Sequence, residues 1–257
     1  MRYHEPHIGT AAVQVLEALG FEVSLVKNRK CCGRPAFSQG NLDAAAKAGK
    51  HNVDLLNSSG SQLSTNPPSP SYGAASNSQL SSTPILFLEP SCWSMFVDDY
   101  RELKIDNAEK VAARCFLFEK FIDDLLDREP DALQFKDRSA FAGGLRRDRQ
   151  VNVVIHPHCH AKSLMDPAFM ARLVERLPGR KAQLLDTGCC GMAGAFGALA
   201  EKYELSVQVA ADLVGKIDNQ PAGAEIIASG TSCRHQISDL TKVHPKHMAE
   251  LIADALV

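Results

Sequence analysis

The sequence predicts an α/β protein made of two pseudo-symmetric repeated domains, each with a small, mainly parallel sheet flanked by helices. Two observations lead to this prediction. Short apolar runs typical of strands alternate along the chain with longer stretches of helical period. The triplet Cys31-Cys32-Gly33 returns as Cys189-Cys190-Gly191, 158 positions later. Each triplet lies between a predicted strand and a predicted helix, as expected for a duplicated unit.

Periodicity predicts the elements of each half in order. In the first half it indicates helices at 7–19, 42–56 and 111–126, and strands at 21–26 and 84–88. Gly20 follows the first helix at the position of a left-handed C-cap. In the second half it indicates strands at 151–155, 182–185 and 225–228, and helices at 167–177, 196–214 and 246–256.

These elements define two domains and a connection. The first domain covers residues 1–128 and contains a Ser-rich insertion at 57–83 that is almost without aliphatic residues. Residues 129–150 are charged and weakly periodic, which indicates an interdomain connection. The second domain covers residues 151–257.

Composition limits the classes of function. The chain has 257 residues, with 28 basic and 30 acidic side chains and a net charge of −2, so no strong field would attract nucleic acid. No apolar run approaches the length of a membrane span, and the chain opens with polar residues. We therefore expect a cytoplasmic protein without a transmembrane segment, which could bind peripherally to the inner face of the membrane. In a reducing compartment, eight cysteines suit metal or redox chemistry better than disulfides.

The second half supplies four candidate metal ligands, Cys159, Cys189, Cys190 and Cys233. Four thiolates suffice for an iron–sulfur cluster or for a closed zinc site. Each group follows a predicted parallel strand, where the binding loops of α/β sheets gather. A glycine after each cysteine pair, Gly33 or Gly191, would allow a sharp turn with positive φ.

The first half offers only three comparable thiols, Cys31, Cys32 and Cys92. The 158-residue offset maps Cys159 onto position 1, which is methionine. We therefore expect in-frame codons upstream of Met1 to encode a cysteine, and we expect the first metal site to be incomplete in this chain.

Other polar residues have simpler interpretations. Unmatched Cys115 is expected to be a core residue, since free cysteine is among the most buried residue types. His156, His158 and His160 could ligate metal, move protons or donate to cluster sulfur, but ordinary loop histidines are the simpler interpretation. Arg234 and His235 could bias a reduced cluster's potential through their charge. The remaining two candidates, Glu89 and Asp166, are expected to mark turns and helix starts rather than catalytic carboxylates.

Taken together, the cysteine motifs resemble the CCG-domain proteins. These are the cysteine-rich proteins found in heterodisulfide reductases, in iron–sulfur subunits of anaerobic glycerol-3-phosphate dehydrogenase and glycolate oxidase, and in lactate-utilisation proteins. A further likeness is to the C-terminal iron–sulfur region of FAD-linked oxidases of the D-lactate dehydrogenase type. The resemblance rests on Leu88-Glu89-Pro90-Ser91-Cys92, His158-Cys159-His160, Gly188-Cys189-Cys190-Gly191-Met192-Ala193-Gly194 and Ser229-Gly230-Thr231-Ser232-Cys233-Arg234-His235-Gln236-Ile237.

The resemblance implies an iron–sulfur electron-transfer component, with a [4Fe-4S] cluster on the second-half cysteines. A partner polypeptide would carry FAD and oxidise D-lactate, glycolate or a similar 2-hydroxy acid, and electrons would pass to a quinone or another carrier. The chain would be a subunit or fragment that is not catalytically complete alone, in agreement with its lack of a nucleotide-binding Gly-rich motif. Gln236 stands where a Cys-x-x-Cys pair would place its second sulfur, which argues against a five-thiolate cluster.

Two alternatives remain open from the sequence. In the first, the same cysteines bind zinc and stabilise an interaction module without redox activity. In the second, the protein is a thiol–disulfide reductase whose cluster attacks the substrate, and the single cysteine of the last motif disfavours this option.

Overall fold

The computed structural model describes residues 4–58, 83–136 and 150–257. Nearly all of the predicted Ser-rich insertion, and most of the predicted connection at 129–150, lie outside these residues. The predicted division into domains at 128 and 151 therefore stays a prediction.

The first half contains seven helices and two strands among the described residues. The helices are α1 (Pro6–Ala18), α2 (Arg34–Ser38), α3 (Leu42–Ser58), α4 (Pro90–Ser94), α5 (Tyr100–Glu102), α6 (Ala108–Ala112) and α7 (Phe118–Arg128). The strands are β1 (Ile85–Phe87) and β2 (Cys115–Leu117), which pair in parallel with Leu86 opposite Phe116. A π-helical turn, Met95–Asp99, joins α4 to α5.

The second half has a three-stranded parallel sheet in the order β4-β3-β5. Its strands are β3 (Val151–Ile155), β4 (Arg180–Leu184) and β5 (Glu225–Ile227). Its helices are α8 (Cys159–Leu164), α9 (Ala168–Glu175), α10 (Tyr203–Asp218), α11 (Thr231–Leu240) and α12 (Met248–Ala255). Lys246 forms one more parallel bridge with Ile227 at the β5 edge. The predicted fold class, two small parallel sheets flanked by helices, is confirmed.

The two halves repeat each other in backbone detail. Gly33 and Gly191 both have φ of +92°, the left-handed conformation expected for the cysteine-pair turn. A long helix, α3 or α10, follows each turn, and the helix carrying the last cysteine, α4 or α11, follows β1 or β5. Positive φ at Gly20 likewise agrees with its predicted position after the first helix.

The strand predicted at 21–26 does not form. These residues have no strand partner among the described residues, whereas β4, their counterpart in the repeat, pairs with β3. An alternating pattern such as Phe21-Glu22-Val23 creates a strand only when a neighbour supplies the ladder of hydrogen bonds.

Two predicted helices are shorter than their periodicity suggested. The helix at 111–126 is interrupted by β2, because Cys115-Phe116-Leu117 pairs with β1. The helix at 196–214 begins only at Tyr203, since 3₁₀ turns precede it, where Gly197 lies against Met192 and Ser206. In both places tertiary contact overrides helical period.

One apolar core joins the halves. It combines the inner faces of α1 and α7 with those of β3, α9 and α12, including Val15, Phe118, Val153, Leu173 and Ile252. Across the same boundary Arg172 Nη2 donates to Asp123 Oδ2 at 2.6 Å. Among the described residues, no helix combines the length and apolar character that a bilayer crossing requires.

Candidate metal centre

Three segments of the second half bring the predicted ligands to one end of the sheet. Cys159 begins α8 just after β3, Cys189 and Cys190 follow β4, and Cys233 lies in the first turn of α11 after β5. Since the three strands are parallel, their carboxyl ends lie at the same sheet edge. Sequence elements separated by more than seventy residues thus meet because of sheet topology.

The four sulfur atoms form a contiguous row. Cys159 interacts with Cys189, Cys190 also interacts with Cys189, and Cys190 interacts in turn with Cys233. The row is open, because no three cysteine sulfurs of the described chain lie within 4.8 Å of one another. Cys190 and Cys233 are buried, whereas Cys159 and Cys189 are partly exposed.

The surroundings favour thiolate at two positions of the row. Hydrogen bonds from Cys159 and then Cys190, followed by those from the amides of Gly191 and Ala193, lower the pKa of Cys189. A hydrogen bond from Cys190, followed by the charge of His158 and a bond from His156, lowers the pKa of Cys233. The pKa of Cys159 is raised because it donates to Cys189, and burial adds to this effect. Such a donor set suits a cation that accepts thiolate ligands.

The structure separates the three histidines by role. His156 is buried, and its Nδ1 lies 2.8 Å from Thr187 Oγ1. Its Nε2 has no formed hydrogen bond, and the ring is one of the groups that lower the pKa of Cys233. With Nδ1 accepting from the Thr187 hydroxyl, Nε2–H is available to the sulfur site. His158 instead caps α8, because its Nδ1 accepts from His160 N at 3.1 Å. The third ring, His160, has a buried Nδ1 without a partner.

Two glycines allow the backbone to approach the sulfurs closely. A Cβ at Gly191 would overlap the carbonyl oxygen of Ser206 on α10, and Gly191 N donates to Cys189 Sγ at 3.4 Å. A Cβ at Gly230 would overlap the His158 ring and lie 3.2 Å from Cys233 Sγ. The role of Gly191 was predicted from its repeat. No separate role was predicted for Gly230, whose φ is negative.

The first half places its three thiols around an analogous turn. Cys32 Sγ lies 3.1 Å from Cys92 Sγ, and Cys31 contacts Cys32. The hydrogen bond with Cys31 lowers the pKa of Cys32. The hydrogen bond with Cys92 and burial outweigh this effect and raise the pKa of Cys32 to about 12. Tyr100 fixes this turn by donating from its hydroxyl to Cys32 O at 2.8 Å.

A buried ion network that the sequence did not reveal supports the second site. Arg234 Nη2 donates to Glu5 Oε2 at 2.6 Å, and its Nη1 donates to the carbonyls of Ala228 and Ser229. Glu89 Oε2 accepts from Thr231 N at 2.7 Å, which ties the first half to α11. Glu5 therefore compensates the charge of Arg234, and the proposed effect of Arg234 and His235 on a cluster's potential stays a prediction.

The remaining candidates agree with their simpler interpretations. Glu89 and Asp166 lie at helix starts, where they accept from Ser91 N and Ala168 N. Cys115 is buried in the core, and its thiol donates to Val111 O. Three carboxylates on α7 are each matched by a cation, in the pairs Asp123–Arg172, Asp124–Lys120 and Asp127–Arg176. The two arginine pairs join α7 to the α9 segment, whereas the lysine pair lies within α7.

Fold and site together define a duplicated α/β protein with a group of four cysteines at the carboxyl edge of its second sheet. Comparison with known proteins assigns the family. A model described as a cysteine-rich domain, CCG, matches residues 1–69 and 153–238, which is more than half of the chain. The chain belongs to this cysteine-rich CCG-domain family, in agreement with the resemblance carried by the sequence motifs.

Two groups of curated relatives are similar to this chain. A subunit of the anaerobic glycerol-3-phosphate dehydrogenase of Escherichia coli K12 is 26% identical over 258 residues, covering 100% of this chain and 57% of the relative. Lactate utilization protein A of Bacillus thuringiensis is 26% identical over 230 residues, covering 82% of this chain and 80% of the relative. The chain thus spans little more than half the length of the first relative. No solved structure matches the chain.

Proposed function

We propose that this protein is the iron–sulfur electron-transfer component of a flavin-linked dehydrogenase. The observation that carries the proposal is the contiguous row of Cys159, Cys189, Cys190 and Cys233 at the carboxyl edge of one parallel sheet. Thiolates in this number are the usual ligands of a [4Fe-4S] cluster, which would supply one-electron transfer at the site.

Four thiolates can hold an iron–sulfur cluster or a single zinc ion. The resemblance of the cysteine motifs to those of iron–sulfur proteins supports the cluster over the zinc ion. The chain's own residues would hold the cluster through the four sulfurs. His156 would orient a donor toward Cys233, and the backbone amide of Gly191 would donate to Cys189.

The relatives support a dehydrogenase context. One is named as a subunit of a glycerol-3-phosphate dehydrogenase and the other as a lactate utilization protein. We propose a flavin-carrying partner that oxidises a 2-hydroxy acid such as D-lactate or glycolate, with a quinone or another carrier as acceptor. In this proposal the protein works in the cytoplasm, at the inner face of the membrane where a quinone can be reached.

Metal analysis of anaerobically purified protein tests the proposal. We expect brown protein that contains iron and acid-labile sulfide and gives an electron paramagnetic resonance signal when it is reduced. Cys189→Ser and Cys190→Ser should each abolish the visible absorption, because each removes one of four ligands. Cys115→Ser is the matched control, since Cys115 lies outside the sulfur row and should leave the absorption unchanged. Colourless protein with bound zinc and no sulfide would identify the zinc-stabilised interaction module instead.

A further inference from the structure

Two buried oxygens near the sulfur row have no formed hydrogen bond within the described chain. They are Glu119 Oε2 on α7 and Ser229 Oγ, and both residues are 1% exposed. The Ser229 hydroxyl acts on the Glu119 carboxyl, and Ser229 directly precedes Gly230, where an added Cβ would lie 3.2 Å from Cys233 Sγ. Unpartnered buried oxygens cost free energy, and a redox or catalytic role is one reason why a protein keeps them.

A chain of ionisable groups joins Glu119 to the sulfur row. The charge of Glu89 disfavours a second negative charge on Glu119. Glu89 Oε1 in turn lies 3.8 Å from His158 Nε2, and the charge of His158 acts on Cys233. Glu119 and His158 are 1% and 4% exposed, so water screens these interactions little. A charge added at the sulfurs therefore acts on Glu119.

The neighbouring acids are held as carboxylates. Both oxygens of Glu89 accept hydrogen bonds, Oε1 from Ser91 N at 3.2 Å and Oε2 from Thr231 N at 2.7 Å. Glu5 forms a two-bond pair with Arg234, whose Nε and Nη2 donate to its two oxygens. Protonation of either acid would weaken bonds that the carboxylate charge strengthens, so neither is a good proton acceptor.

The neighbouring histidines use their accepting nitrogens to cap helices. His158 Nδ1 accepts from His160 N at 3.1 Å, and His247 Nδ1 accepts from Ala249 N at 2.9 Å. The second nitrogen of His247, Nε2, lies 2.8 Å from Leu88 O and therefore carries the ring proton. A second proton on either ring would displace a backbone amide from its cap.

Glu119 is thus the buried group of this region that is free to change its charge. The two helices packed on α7 contribute charged groups that already have partners, in Asp123–Arg172, Asp127–Arg176 and the bond of Glu250 to His247 N. Strands β1 and β2 contribute no charged side chain. Burial, and then the charge of Glu89, raises the pKa of Glu119 to about 7. Its proton equilibrium therefore responds to a change of charge nearby at neutral pH.

We propose that Glu119 is the proton acceptor that balances the electron received at the sulfur site. One electron arrives from a one-electron donor, the reduced flavin of the partner, and one proton from solvent binds the Glu119 carboxylate. The net charge of the buried region then stays the same. On reoxidation the electron passes to the acceptor and the Glu119 carboxyl releases its proton to solvent. The inference rests on the proposed function, because the cluster would hold the electron.

Redox titration of the iron-loaded protein at several pH values tests this coupling. Above pH 7 the reduction equilibrium constant of the wild type should fall by up to about tenfold per pH unit, or about 59 mV, because each electron brings one proton. Below pH 7 the potential should become constant, because the carboxyl keeps its proton in both redox states. Glu119→Gln should remove the pH dependence, since glutamine has nearly the same shape and no proton to exchange.

Two variants are the controls for this titration. Glu119→Asp restores a carboxyl at the same place on α7 and should restore the pH dependence. Glu109→Gln removes a carboxylate that is exposed on α6 and should keep the wild-type profile. A role of Glu119 in packing alone would give wild-type and Glu119→Gln potentials that differ by a constant amount at all pH values.

Infrared difference spectra of reduced minus oxidised protein provide a second measurement that does not depend on activity. At pH 8 the wild type should gain the carbonyl band of a protonated carboxyl on reduction, and Glu119→Gln should not. A reducible centre with the same pH dependence in both proteins, or with no carboxyl band, overturns the inference and leaves the proposed function intact. Protein without iron and sulfide overturns both.

Discussion

At the scale of single residues, Glu119 is the clearest case of a charged group that the sequence could not distinguish. It lies on α7 with a side chain that is 1% exposed, and its Oε2 has no formed hydrogen bond. The pKa of Glu119 is raised from 4.5 to about 7, mainly by burial and also by the charge of Glu89. The nearby Ser229 hydroxyl and the charge of Arg234 oppose this shift. In the sequence it is one of many acidic residues at helical spacing, and only the packing of α7 removes it from water.

The Glu119→Gln variant should therefore be more stable than the wild type at alkaline pH. Between pH 4.5 and 7 the folded state keeps the carboxyl proton while the unfolded state loses it, so wild-type stability falls as pH rises through this window. Glutamine removes the penalty, which amounts to at most about 3 kcal/mol at pH 8 and to almost nothing at pH 4. Urea unfolding at both pH values measures the difference.

The matched control for this prediction is Glu109→Gln, because Glu109 is exposed on α6. Its stability should follow that of the wild type across the pH range. Equal stability of Glu119→Gln and the wild type at pH 8 would show that the Glu119 carboxyl is not held neutral in the folded protein.

At the scale of elements, the shape of the cysteine-pair turn depends on the backbone of its glycine rather than on the cysteine side chains. Gly191 has φ of +92° and lies against α10 so closely that a Cβ would overlap the Ser206 carbonyl. Gly223 has a similar φ of +87°, but a Cβ there would meet nothing within 4 Å. Both positions therefore require a positive φ, but only Gly191 lacks room for a side chain.

Alanine at each position should separate the two effects. We expect Gly223→Ala to cost about 1–2 kcal/mol, the penalty of the left-handed region alone. Gly191→Ala should cost more, because α10 must also shift and the turn carries Cys189 and Cys190. Chemical unfolding measures both variants. Equal losses of unfolding free energy would mean that the turn has room for a side chain, and that glycine is needed there only for its positive φ.

At the scale of the whole molecule, the shared core predicts one cooperative unit despite the duplicated sequence. Leu173 of α9 is fully buried in a cluster that also contains residues of α1 and α7. Trp93 is the single tryptophan and lies buried on α4 in the first half. Its fluorescence therefore reports the first half while a substitution is made in the second.

Leu173→Ala should destabilise the protein by about 2–5 kcal/mol, the usual loss for a buried leucine. The transition seen by Trp93 fluorescence should move as far as the transition seen by circular dichroism. Leu205→Ala, at a leucine that is 49% exposed on α10, is the control and should move neither. A Trp93 transition that keeps its wild-type midpoint would show that the halves unfold independently.

The sequence by itself determined the fold class, the repeat, most element positions and the group of cysteines to examine. The period of apolar residues indicates local secondary structure directly from the sequence. Vicinal cysteines followed by glycine, repeated at one offset, indicate a duplicated domain and a group of candidate ligands. The extent of β3, residues 151–155, was predicted to the residue for the same reason.

Only the tertiary structure decided which neighbours each element has. The segment at 21–26 has a strand-like pattern but no strand partner in the described part of the chain. β2 is a strand inside a helical pattern, and Glu5 meets Arg234 across more than two hundred residues. Strand pairing, burial of charge and close backbone approach depend on contacts between distant segments. Their free energies are set by the assembled surroundings, which local sequence does not contain.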